Sequence, residues 1–115
     1  MNTMNQEFQK NWDTQLKKGL LPFFVLKTLE QRECYGYELI QALKDAHGLE
    51  TTESTMYPLL VRMMKEGLLV HKWVEQQSGI PRKYYRLTDE GKSSLLAMRT
   101  TLSQLLSDTI TNETH

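Results

Sequence analysis

The sequence predicts a mainly α-helical chain with one small β-hairpin, and three observations carry that expectation. Apolar residues recur at helical spacing over most of residues 6–66 and again after residue 88. A run rich in Leu, Val and Trp (Leu68–Glu75) is separated from a second one (Arg82–Leu87) by a Gly/Ser/Pro turn. Glycines fall where the helical patterns stop.

From Gln6 to about Glu30 the apolar residues are Phe8, Trp12, Leu16 and Leu20, then Phe23, Phe24, Leu26 and Leu29. Gly19 and Pro22 in the middle predict a break or bend into two helices. The second is apolar nearly all round, as a buried helix is. The first is an amphipathic arm whose stripe finds nothing to cover in its own small domain. Gly36 precedes a compact helix over about Tyr37–Ala46, with Tyr37, Leu39, Ile40 and Leu43 expected inward and Gly48 expected to end it in a left-handed conformation. Thr52 is a suitable N-cap for a third helix reaching about Glu66, with Glu53 at its positive end and Gly67 closing it. After the hairpin, Thr88 caps a last helix that starts with Asp89 and Glu90. It carries Leu95, Met98, Leu102 and Leu105 in a stripe widened by Leu96, Leu106 and Ile110. The polar ends, Met1–Asn5 and Thr111–His115, read as frayed. Two helices joined by a tight turn and followed by a basic hairpin make a winged helix-turn-helix over 35–88. N-terminal helices (6–30) and a C-terminal helix (89–111) flank it in a single domain, 1–115.

The 115 residues are 39% hydrophobic and 24% charged with zero formal net charge, an ordinary globular composition. No apolar run approaches the ~20 residues that cross a membrane. The start is polar, and Cys34 stands alone, so neither a secretory signal nor a disulfide framework is expected. A cytoplasmic location follows as an expectation. The charge is unevenly spread. Residues 51–88 hold Arg62, Lys65, Lys72, Arg82, Lys83 and Arg86 against Glu53, Glu66 and Glu75. A local basic surface is what phosphate binding needs.

In the third helix, Met56, Leu59, Leu60 and Met63 form the inward stripe. The other side presents Ser54, Pro58, Val61, Arg62 and Lys65, with Thr55 and Tyr57 on the flanks of the end that leads into a major groove. Pro58 lies inside the helix, so either the first turn is irregular or the helix kinks beyond Tyr57. On the hairpin, Arg82, Lys83 and Arg86 share a strand with Tyr84 and Tyr85, one of which should pack inward with Leu87. The bland counterparts are a solvated helix face and an edge hairpin blunted by charge.

Four blocks in order resemble the PadR family of transcriptional regulators. They are Tyr35-Gly36-Tyr37-Glu38-Leu39, Ser54-Thr55-Met56-Tyr57-Pro58-Leu59-Leu60, Glu66-Gly67-Leu68-Leu69, and the run from Pro81 to Gly91. The chain is similar to the short members, which keep one helix after the wing. The resemblance implies a homodimeric repressor of double-stranded DNA. By that resemblance Ser54, Thr55 and Tyr57 of the third helix and Arg82, Lys83 and Tyr84 of the wing would be its DNA contacts, and the periodicity of the third helix adds Arg62 and Lys65. The dimer would form through the terminal helices, with Phe8, Trp12, Leu95, Met98, Leu102 and Leu105 at the interface. Family wings often read Gly-Arg or Gly-Gly before the basic strand, whereas this one reads Gly79-Ile80-Pro81. Some short members bind flat aromatic drugs between dimer helices through an aromatic of the last helix, and here that helix has none.

His47, His71, His115 and Cys34 place no two ligands on one helical face, so no metal site is expected. Cys34 reads as a buried small residue, and Trp12 and Trp73 as packing residues. No nucleophile triad, phosphate loop or cofactor pattern points to an enzyme. Three readings remain: a DNA-binding repressor relieved by a small molecule, a winged-helix module for protein contact, and a ligand sensor with secondary DNA affinity.

Overall fold

The computed structural model describes residues 3–110. Of the ends read as frayed, 1–2 and 111–115 lie outside the described residues, His115 among them, whereas 3–5 already belong to the first helix. The elements run α1 (Thr3–Gln31), β1 (Cys34–Tyr35), α2 (Gly36–His47), α3 (Glu53–Lys65), β2 (Leu69–Val74), β3 (Arg82–Leu87) and α4 (Asp89–Ile110).

The expected break at Gly19 and Pro22 does not occur. α1 is one helix of 29 residues with Pro22 inside it. An interior proline costs about 3 kcal/mol, but Leu21, Val25, Leu26 and Leu29 are buried in the core. Each such side chain contributes about 1.5–3 kcal/mol. The carbonyl that Pro22 leaves without its helical partner is that of Lys18, four residues back on an exposed stretch that water can reach.

α2 begins with the Glu38 carboxylate accepting from the Tyr35 N–H at 3.2 Å, one half of a capping box. Leu39 and Leu43 are fully buried and Ile40 packs against them. Tyr37, expected inward, is exposed. Four and seven residues on, Gln41 and Lys44 share its face and are exposed too. Gly48 takes the left-handed conformation expected of it, with φ of 63°, and Gly67, which closes α3, takes it too, with φ of 79°. Thr52 caps α3 by accepting from the Thr55 N–H at 3.3 Å. Met56, Leu59, Leu60 and Met63 are buried as the stripe predicts. The helix is unbroken through Pro58, whose freed carbonyl is that of exposed Ser54.

The hairpin pairs antiparallel from Leu69↔Leu87 to Val74↔Arg82. A third strand not foreseen in the sequence, β1, pairs Cys34 with Tyr85 and Tyr35 with Tyr84, giving the order β1-β3-β2. Alternation puts Leu69, Tyr85 and Leu87 into the core. Cys34 is wholly buried there, and burial pushes its thiol pKa up, away from thiolate chemistry.

Thr88 joins the sheet to α4. Its hydroxyl donates to the Gly67 carbonyl at 2.7 Å and accepts from the Gly91 N–H at 2.9 Å. Leu95, expected at a dimer interface, is 0% exposed and part of the protomer's own core. The inward side of the first turns of α4 lies over that core, while Leu96, Leu105 and Leu106 of the stripe are left exposed. Arg99 donates both guanidinium arms to Glu30 (2.7 and 3.3 Å), tying α4 to α1. That hydrogen bond holds the Glu30 carboxyl below its ordinary pKa.

Candidate nucleic-acid interface

The exposed side of α3 is built by the same spacing that buries its other side. Ser54, Thr55, Tyr57, Arg62 and Lys65 all reach solvent. At the N-terminal end the hydroxyls form a small network: Thr52 Oγ1 lies 2.9 Å from Ser54 Oγ and donates to Thr55 Oγ1 at 3.3 Å. Hydroxyls and free amides at a helix start suit phosphate oxygens.

Tyr57 is fixed by a neighbour that could hardly be another residue. A Cβ on Gly36 would lie 2.5 Å from the Tyr57 hydroxyl oxygen and 2.8 Å from Cζ. The bare backbone at the start of α2 is therefore the seat of the Tyr57 ring.

The wing stands beside this face. Tyr85 is the tyrosine that packs inward with Leu87, and Tyr84 is on the other face of the sheet, edge-on to Tyr35 with ring centroids 5.3 Å apart. The Arg82 guanidinium sits 4.4 Å over the Tyr35 ring, and Lys83 Nζ 5.7 Å over Tyr85. Such stacking holds a cation in place without neutralising it. Lys72 and Arg86 differ: Glu33 accepts from the first at 3.1 Å and faces the second at 3.9 Å. Among the described residues, the basic groups that the wing leaves without a carboxylate partner are thus Arg82 and Lys83, nearest its tip. Between wing and α3 runs a cleft of about 300 Å³ lined by Tyr35, Gly36, Tyr57, Trp73, Arg82, Lys83 and Tyr85.

Two residues outside the predicted set belong to this surface. Lys17 and Lys18 of α1 line a hollow of about 460 Å³ with Thr52 and Thr55, and Lys18 also borders Arg62 across a neighbouring one. In the sequence they sit in the arm, with no local signal linking them to α3. Of the residues expected at a dimer interface, Phe8 is 74% exposed, and Trp12 and Leu105 are exposed as well. Met98 and Leu102 are half-buried along a groove of about 330 Å³ with Leu20 and Phe23 of α1. His47 stacks on Phe24 at 4.4 Å, and His71 Nδ1 lies 3.3 Å from Met64 Sδ.

A helix pair with a basic three-stranded wing beside its second helix defines the class of winged helix-turn-helix regulators. The family model for the PadR-like transcriptional regulators matches residues 25–97. A crystal structure of a PadR family transcriptional regulator from Eggerthella lenta superposes with a TM-score of 0.84 at 34% identity, over 99% of this chain and 100% of that one. A transcriptional regulator of Mycobacterium tuberculosis is 29% identical over 103 residues, 88% of this chain and 92% of the relative. The negative transcriptional regulator PadR of Bacillus subtilis is 30% identical over 78 residues, 66% of this chain but 43% of that longer protein. The chain belongs to the PadR-like family of transcriptional regulators. It is a regulator and not an enzyme.

Proposed function

We propose that the chain is a homodimeric repressor that binds operator DNA, with α3 in the major groove and the wing along the flanking backbone. The observation that carries this reading is the shared face of α3 and the wing. Tyr57 of α3 lines the cleft together with Arg82 and Lys83 of the wing, and the hydroxyl cluster at Thr52–Thr55, Arg62 and Lys65 are exposed on the rest of the same helix's outer side. Ser54, Thr55, Lys65 and Lys83 hold phosphates, as do Lys17 and Lys18 at the rim. Tyr57 and Arg62 reach base edges. Tyr84, packed on Tyr35, steadies the wing. Repression is supported by the negative role named for the Bacillus subtilis relative.

The dimer forms through the α1 arm and the outer part of α4, where Phe8, Trp12, Leu96, Leu105 and Leu106 are exposed. An apolar patch of this kind marks an interaction surface. A two-fold dimer places its α3 helices in successive major grooves about one DNA turn apart. The groove between α1 and α4 is apolar enough to lodge a small-molecule effector. Fluorescence anisotropy with the chain's own promoter DNA over a salt series tests the DNA reading. Specific binding should weaken steeply with salt, and no sequence preference at low salt would overturn it.

A further inference from the structure

Trp73 lies at the register position opposite Lys83, on the face of the wing that Leu69, Tyr85 and Leu87 bury in the core. Its ring nevertheless extends past the core and is 65% exposed. A large indole turned toward a helix but left uncovered is unusual, since such rings bury well over 100 Å² when packed. It overhangs the cleft of about 300 Å³ whose far wall is Tyr57 of α3 and whose rim carries Arg82 and Lys83. The cleft thus has aromatic walls and a cationic edge. It is continuous with the face proposed to meet DNA, because Tyr57 and Lys83 belong to both.

We propose that this cleft takes one stretch of the DNA sugar-phosphate backbone, and that Trp73 is a DNA-contacting residue of the wing. The indole packs on the deoxyribose while Arg82 and Lys83 hold the phosphates on either side. A deoxyribose is the apolar part of an otherwise anionic strand, so it matches an aromatic wall beneath a basic rim. The strand that separates the major groove entered by α3 from the groove under the wing passes between these two elements. The inference rests on the DNA-binding reading above.

The chain has two tryptophans, Trp12 and Trp73, so the emission of W12F, taken once its operator affinity has been matched against that of the unaltered protein, is that of Trp73 alone. In that background the Trp73 emission is quenched on saturation with operator duplex. W73A weakens operator binding about tenfold, the effect of uncovering a fraction of an indole. W73F recovers most of the loss. Because no charge is removed, the slope of affinity against salt stays that of the parent, whereas K83A lowers it by about one. Wild-type affinity in W73A, or Trp73 emission unmoved at saturation, overturns the proposal while the DNA reading stands. Should W73A fail to fold, the emission measurement on W12F decides alone. Absence of operator binding by the unaltered protein would sink both.

Discussion

Replacing Gly36 with alanine should damage DNA binding far more than it damages the fold. The added Cβ would meet the Tyr57 ring at 2.5, 2.8 and 2.9 Å, distances at which something must move. The φ of Gly36 is not positive, so alanine fits the backbone there. The atoms in the way are the far end of a side chain that is 41% exposed, so the ring can swing out into solvent. Overpacking a core costs about 1–3 kcal/mol, and a movable ring puts this case near the lower bound of about 1 kcal/mol. Replacing a glycine whose backbone conformation alanine can adopt returns about 0.4–1 kcal/mol through the unfolded chain. The net loss of stability is then under about 1 kcal/mol, and Tm should fall by no more than about 4–8 °C. Operator affinity should fall about tenfold, because Tyr57 would no longer be held where the proposed reading sets it against a base edge and one good base contact is worth about 1–3 kcal/mol. Anisotropy titrations and thermal melts of G36A, Y57A and the double variant measure both quantities. In the Y57A background the glycine substitution should have no further effect on binding. Wild-type operator affinity in G36A, or simple additivity in the double variant, would refute the role given to this contact.

Lys83→Ala should weaken binding to all sequences alike, while Arg62→Ala should also relax the preference among sites; unchanged affinities across a panel of duplexes for both variants would show that DNA meets another face. Leu102→Glu should give a monomer in analytical ultracentrifugation, because a charge would enter the apolar seam of α4 through which the proposed dimer forms. Leu95→Glu should instead unfold the protomer, since that residue lies in its core. Glu30→Gln should lower Tm at neutral pH but not in acid. The pKa of Glu30 is lowered in the fold by the Arg99 hydrogen bond, so the stabilisation is present above the ordinary carboxylate pKa and is lost as pH falls through the lowered one. A difference in Tm that persists unchanged in acid would rule this out.

The parts of the fold legible in the sequence were those that local chemistry decides. The α3 stripe, the Thr52 and Thr88 caps and the helix ends at Gly48 and Gly67 each depend on a few neighbouring residues. The inward turn of Tyr85 follows from strand alternation alone. What could not be read depends on distant parts of the chain. β1 is two residues long and exists only because β3 offers an edge. Pro22 argues locally for a break, and only the core beside it keeps the helix whole. The spacing of Leu95, Met98, Leu102 and Leu105 identifies an apolar seam, but not where the protomer's own cover ends along it. Counting charges likewise treats Lys72 and Arg86 as equal to Arg82 and Lys83, because the carboxylate that pairs with the first two, Glu33, lies far away in sequence. Trp73 looks like packing in any strand, and its exposure is a property of where the wing ends.

The unbroken course of α1 has a mechanical consequence. At 29 residues the helix is about 43 Å long, and its two halves live in different surroundings: Leu21 to Leu29 are gripped by the core, while Phe8 to Leu16 stand outside it. A rod clamped at one end transmits any twist of its free end to the clamp, here to Val25 and Leu26 beneath the helix-turn-helix. The rung missing between Lys18 and Pro22 falls at the mouth of the clamp, where bending moment is greatest and where helices with an interior proline yield. Whatever grips the free half therefore has both a lever and a pivot with which to tilt the reading head.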